Sequence, residues 1–257
     1  MHLSIQQVSK RYANGVQALN GVTLAVETGE SVVLLGANGS GKSTLLRCIV
    51  GLERPTAGAI HVGAVESSRA AGRELRQVRR QVGFIFQRFH LVGNLSVFQN
   101  VLHGALGRSR GPWDWFAATA SATERANAMH CLERVGLVDL ACRRADTLSG
   151  GQQQRLAIAR TLMQEPKVIL ADEPVASLDP KAGREVLDLL WGISQEQGLT
   201  LVCALHQIEL ALIYGKRFVA LKEGALIFDQ PAMGVTHTEL TQLYQQPAAS
   251  LQEAVVA

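Results

Sequence analysis

The sequence predicts an α/β fold built around a buried, largely parallel sheet. Three observations predict it. An apolar run at residues 31–35 leads directly into a glycine-rich loop and then a helical segment. A second apolar run, 168–171, ends in two adjacent carboxylates, and a third, 200–205, follows a helical stretch near 181–197. Strands covered on both faces read as continuous apolar runs between helices, and that pattern belongs to parallel sheets.

The other elements follow in chain order. Leu3, Ile5 and Val8 among polar neighbours predict a first strand, and residues 22–26 a second. After the glycine-rich loop, residues 44–50 read as a helix closed by Gly51. Pro55, Thr56, Ala57 and Gly58 then mark a turn before a strand at 59–62. From 91 to 147 the composition shifts toward Ala, Arg, Leu and Gln with helical spacing, interrupted by Gly104, Gly107, Gly111 and Pro112. This predicts a helical subdomain, 91–147, inserted between two parts of a catalytic core, 1–90 and 148–246, with 247–257 as a short tail. No internal repeat, sustained heptad pattern or low-complexity tract is present.

A chain of 257 residues can bury a full core, and this length suits one large domain with an insertion. Its 25 basic and 22 acidic residues are mixed along the chain, so the net charge of +3 gives no argument for nucleic acid as a partner. Cys48, Cys131, Cys142 and Cys203 are widely spaced without a CxxC pair and read as reduced thiols. The amino terminus lacks a basic region followed by an apolar segment. No run approaches the roughly 18 apolar residues of a spanning helix, so any membrane role would need another chain to cross it.

The chemistry concentrates in three motifs. Gly36-Ala37-Asn38-Gly39-Ser40-Gly41-Lys42-Ser43 fits GxxxxGK[ST], set between a buried strand and a helix that continues through Thr44. Glycines let the backbone turn its N–H groups and the helix's positive end toward phosphates; Lys42 reaches the β and γ oxygens, and Ser43 suits Mg²⁺. Asp172 and Glu173 close an apolar strand, which carries them to the carboxy-terminal sheet edge where that loop also lies. Asp172 suits a magnesium contact and Glu173 suits polarising an attacking water. Ser149, Gly150, Gly151 and Gln152 open a helix-like stretch at 153–160, a helix start that suits an anion.

In this order the phosphate loop, the Leu148-Ser149-Gly150-Gly151-Gln152 string and the Asp172–Glu173 pair resemble the ABC ATPases, and the resemblance covers nearly the whole chain. It implies a P-loop NTPase fold with a RecA-like core, an antiparallel β subdomain and the inserted helical subdomain. It also implies a head-to-tail homodimer sandwiching two ATP molecules, in which Ser149 contacts the γ-phosphate held by the partner's loop. Gln87 resembles the glutamine that senses Mg²⁺ and connects to a transmembrane partner. Asp179, in Ser177-Leu178-Asp179, resembles the loop that passes across the dimer interface. His206 resembles the switch histidine, and Tyr12 the aromatic that stacks on adenine.

Residues 89–108, 173–179 and 205–212 most resemble ATPase subunits of bacterial phosphonate importers. That resemblance implies transmembrane permease subunits, a periplasmic solute-binding protein, and a peripheral position on the cytoplasmic face of the inner membrane. An importer of another phosphate-like anion, or a lipoprotein-release or export system, would share every residue named. An ABC ATPase of DNA repair would place a long coiled coil between loop and signature, where no sustained heptads occur. A P-loop kinase would leave the signature and His206 without a task. Trp113, Trp115 and Phe116 suit either anchors for a partner's helix or the subdomain's own core.

Overall fold

A computed structural model of the chain describes residues 1–108 and 120–245. Gly111, Pro112, Trp113, Trp115, Phe116 and the tail 247–257 lie outside the described residues. Two sheets organise the rest. The first has the order β2-β1-β4-β5 and comprises β1 (Leu3–Arg11), β2 (Gln17–Val26), β4 (Ala57–Val62) and β5 (Val65–Glu66), all paired antiparallel.

The second sheet contains β3 (Ser31–Leu35), β6 (Val82–Ile85), β7 (Val168–Asp172), β8 (Thr200–Ala204), β9 (Arg217–Lys222) and β10 (Ala225–Pro231), in the order β10-β9-β3-β8-β7-β6. Only β10, at the edge, runs antiparallel to its neighbour. The predicted α/β fold with a separate antiparallel β unit is therefore what the chain adopts.

Each central strand is buried on both faces, which explains its unbroken apolar run. Val33 and Leu35 of β3 join Ile169, Ala171, Leu201 and Cys203 in one core, while Val32 and Leu34 join Val168, Leu170 and Val202 in another. The second core also holds the inner face of the antiparallel sheet and α1 (Lys42–Ile49). The first holds α3 (Val97–Leu102), α4 (Ala122–Arg134), α5 (Gly150–Met163) and α6 (Pro180–Glu196). α2 (Gly72–Gln81), α7 (Ile208–Tyr214) and α8 (His237–Gln245) complete the described helices.

Two glycines differ from their expected roles. Gly58 lies inside β4, not in the preceding turn; its φ of +87° and a Cβ that would sit 2.4 Å from the Gln7 carbonyl oxygen place it opposite the bulge in β1. Gly104 marks a close approach, since a Cβ there would come within 2.1 Å of the Arg160 carbonyl on α5. The four cysteines are free, and burial pushes the thiols of Cys48 and Cys131 up to about 11, in keeping with inert core residues. Among the described residues no helix is long and apolar enough to cross a membrane.

Candidate active site

The register of the parallel strands assembles the site. Leu34 of β3 and Asp172 of β7 both pair with Ala204 of β8. The residues that follow therefore leave the sheet at one edge: Gly36 after β3, Glu173 after β7 and His206 after β8. Backbone bonds hold these exits together, with Glu173 N–H donating to the Ala204 carbonyl at 3.2 Å and Leu205 N–H to the Leu34 carbonyl at 3.1 Å. β6 adds Gln87, which emerges two residues beyond the Ile85–Ala171 pair.

The glycine-rich loop is wedged between the two sheets. A Cβ on Gly41 would meet the Ala18 carbonyl of β2 at 2.5 Å, and one on Gly36 would meet the Leu221 carbonyl of β9 at 2.4 Å. Only glycine fits either contact. The turn between β9 and β10 closes over the loop as Gly224 N–H donates to the Ser40 carbonyl at 3.0 Å. α1 starts at Lys42, so its positive end faces the loop's concave side.

Lys42 is 4% exposed, and a buried ammonium needs partners. Its Nζ donates to the carbonyls of Gly36 at 2.7 Å and Ala37 at 3.2 Å, and lies 3.3 Å from Glu173 Oε1. Ser43 Oγ donates to Asp172 Oδ1 at 2.7 Å. Burial pushes the Asp172 carboxyl above the ordinary aspartate range, against the pull of the Ser43 hydroxyl, Arg47 and Lys42. His206 Nδ1 lies 3.7 Å from Glu173 Oε2. Glu173 itself has a left-handed backbone, φ 48°, unusual for a residue with a Cβ.

Lys42, Ser43 and Glu173 border one cavity, lined also by Tyr12, Asn38, Gly39, Ser40, Gly41, Thr44 and Gln87, while Asp172 and His206 stand behind its lining, bonded to Ser43 and beside Glu173. Tyr12 Oη sits 3.4 Å from Thr44 Oγ1, and Lys10 Nζ lies over the tyrosine ring at 4.9 Å. Buried Ser40 Oγ has no hydrogen-bond partner among the described residues. Such an orphan beside a ring of N–H donors fits a ligand rich in acceptor oxygens. Val16, Gln17 and Ala18 also border the cavity and stood outside the expected set. The sequence offered only an apolar Val16 after Asn14 and Gly15, and the structure leaves it 53% exposed.

The remaining expected residues stand elsewhere. Ser149 caps α5 through a reciprocal box, accepting from Gln152 N–H at 3.4 Å while Ser149 N–H donates to Gln152 Oε1 at 3.0 Å. Asp179 caps α6, its Oδ1 accepting from the Lys181 and Ala182 amides at 3.1 and 3.0 Å. Gly150 and Gly151 sit against α6 and the segment before it, their Cβ positions 3.2 Å from Leu178 Cδ2 and Ala182 Cβ. None of these four helix-start residues nor Asp179 lines the loop cavity of its own chain.

A doubly flanked parallel sheet with a phosphate loop at its carboxy-terminal edge defines the P-loop nucleoside triphosphatases. The family described as ABC transporter matches residues 19–176. The chain is 52% identical to the phosphate-import ATP-binding protein PhnC of Mycolicibacterium smegmatis over 241 residues, covering 94% of this chain and 91% of that protein. It is 51% identical to the phosphonates import ATP-binding protein PhnC of Nocardia farcinica, covering 95% and 90%. Among solved structures, a dimeric ATP-binding cassette in a post-hydrolysis state bound to ADP and Pi aligns with a TM-score of 0.79 and 36% identity, covering 91% of this chain and all of that one. The chain belongs to the ABC transporter family, as one of its ATPases.

Proposed function

We propose that the chain is the ATPase subunit of an importer for phosphonate or a related phosphate-class anion, acting as a homodimer on separate permease subunits. The observation that carries the mechanism is the shared register that gathers Lys42, Ser43, Asp172, Glu173 and His206 at one sheet edge. The cargo is carried over from the two importer relatives.

In this reading the loop N–H groups of Gly36, Asn38, Gly39, Ser40 and Gly41, the start of α1 with Thr44, and the Ser40 hydroxyl hold the phosphates of ATP. Tyr12 offers its ring to adenine. Lys42 exchanges its loop carbonyls and Glu173 for the β and γ oxygens. Ser43 and Asp172 present a hydroxyl and a carboxylate oxygen 2.7 Å apart, hard donors of the kind Mg²⁺ takes, and Gln87 lines the same cavity as Ser43. Bound there, Mg²⁺ offsets the charge of the phosphate oxygens. Once released by Lys42, Glu173 polarises the water that bonds to the γ-phosphorus as the bond to ADP breaks, and His206 orients that carboxylate.

Ser149, Gly150, Gly151, Gln152 and Asp179 are assigned to the nucleotide of the second subunit, which makes closure of a head-to-tail dimer the step ATP drives. The core segments 1–90 and 148–246 carry the chemistry, and the helical segment 91–147 transmits it. Between them, beside the strand that leads to Gln87, a concavity lined by Leu52, Phe84, Phe86 and Leu106 and rimmed by Arg76, Arg79, Arg80 and Arg160 leaves Leu52 48% exposed, a mixed apolar and basic surface that a permease would cover. The chain then sits peripherally on the cytoplasmic face, supplied with cargo by a periplasmic solute-binding protein.

Reconstitution with the permease and solute-binding protein in proteoliposomes tests this. Inward movement of radiolabelled methylphosphonate or phosphate should require MgATP on the subunit's side and stop with Glu173→Gln. Outward movement, or uptake indifferent to ATP, would sink the importer assignment.

A further inference from the structure

α2 carries positive charge that the nucleotide site does not use. Arg73, Arg76 and Arg80 follow one another at helical spacing on one face, all three are exposed, and none forms an ion pair with a carboxylate among the described residues. Like charges at this spacing repel one another. They form one wall of a concavity of about 640 Å³ whose lining includes no apolar side chain.

Much of the opposite wall is bonded, although buried Arg108 Nε has no hydrogen-bond partner among the described residues. Arg108 Nη1 donates to Glu165 Oε1 at 2.6 Å and Nη2 to the Met163 carbonyl at 2.7 Å, so this arginine's charge is matched. Gln164 Nε2 donates to the carbonyls of Arg79 at 2.7 Å and Val82 at 2.9 Å. These bonds pin the end of α2 to the end of α5. What remains is three guanidiniums, each with paired N–H donors, facing a polar hollow between the core and the end of α5.

We propose that this hollow binds a tetrahedral oxyanion of the phosphate and phosphonate class, held by Arg73, Arg76 and Arg80 in the bidentate manner guanidinium favours. The bound anion offsets the mutual repulsion of the three arginines on α2, whichever solute the transporter carries. The same oxyanion chemistry is offered by a free anion and by the headgroup of an anionic phospholipid.

Isothermal titration of inorganic phosphate and of methylphosphonate into the full chain carrying Lys42→Ala, which weakens the competing nucleotide loop, reads the free anion. Saturable binding is expected, weakened about tenfold or more in the triple variant Arg73→Gln, Arg76→Gln, Arg80→Gln. Glutamine keeps the helix propensity of α2, and an unchanged melting temperature without phosphate verifies the fold; if the triple variant melts lower, Arg76→Gln alone takes its place. Flotation on phosphatidylglycerol vesicles, against phosphatidylcholine, reads the headgroup. Retention on the anionic vesicles alone, lost in the arginine variant, assigns the oxyanion to lipid. The proposal is overturned if neither free anion binds saturably and vesicle retention does not depend on the arginines, or if the arginine variant binds as the parent does.

Discussion

Glu173 stands between Lys42 and His206 with its side chain 12% exposed and its backbone in a region few non-glycine residues occupy. Strain of this kind costs about 1–3 kcal/mol and is kept where the chemistry requires the position. Its neighbour Asp172 shows the same trade. Because burial raises its pKa in the fold, the ionised form is disfavoured there, so a neutral side chain should relieve the fold. Asp172→Asn, still able to accept from Ser43, should melt above the wild type at neutral pH without metal or nucleotide, yet lose MgATP turnover. Calorimetry beside an ATPase assay checks this, and a lower melting point would contradict the burial argument. Lys42, Ser43, Asp172 and Glu173 were legible because each pairs a residue type with a sequence position that the chemistry demands. Val16 and Gly224 were not, since Val16 reaches the cavity and Gly224 bonds to the loop only when the two sheets close around it.

Among elements, the starts of α5 and α6 combine a structural and a proposed functional task. Ser149 closes a capping box, and losing such a cap costs about 1 kcal/mol. Ser149→Ala should lose that stability in denaturant titration and also weaken ATP-dependent dimerisation. Ser149→Asp caps equally well but sets a carboxylate against the partner's γ-phosphate, so it should keep stability while abolishing the dimer. Dimerisation intact in the aspartate variant would reduce Ser149 to a cap. Gly104→Ala, by pressing against the Arg160 carbonyl, should destabilise the chain by about 1–3 kcal/mol without changing ATP affinity, read by denaturant titration and nucleotide binding. The buried strands could be read from their apolar runs. α2 could not, because Val78 alone of its residues is buried, and β4 could be read only from Ala59 onward because Gly58 has the composition of a turn. β2 begins at Gln17, earlier than its apolar stretch, because pairing with β1 continues past the residues that pack in the core.

Taken whole, one chain holds apart the two halves of the proposed site: the loop cavity at the sheet edge, and the capped helix starts at Ser149 and Asp179. The strand runs and motifs made the first legible as geometry. The second was legible locally only as a helix start that suits an anion, and its assignment to another subunit's phosphate came through resemblance, since Ser149 and Gln152 satisfy each other within their own chain. Two chains placed head to tail would join each half to its complement. This union is tested most directly by sizing Glu173→Gln in solution with and without MgATP while following hydrolysis. The expected result is a dimer that forms only with ATP and persists because turnover falls about a hundredfold or more. A chain that stays monomeric with ATP bound, or that hydrolyses ATP at the wild-type rate, would contradict it.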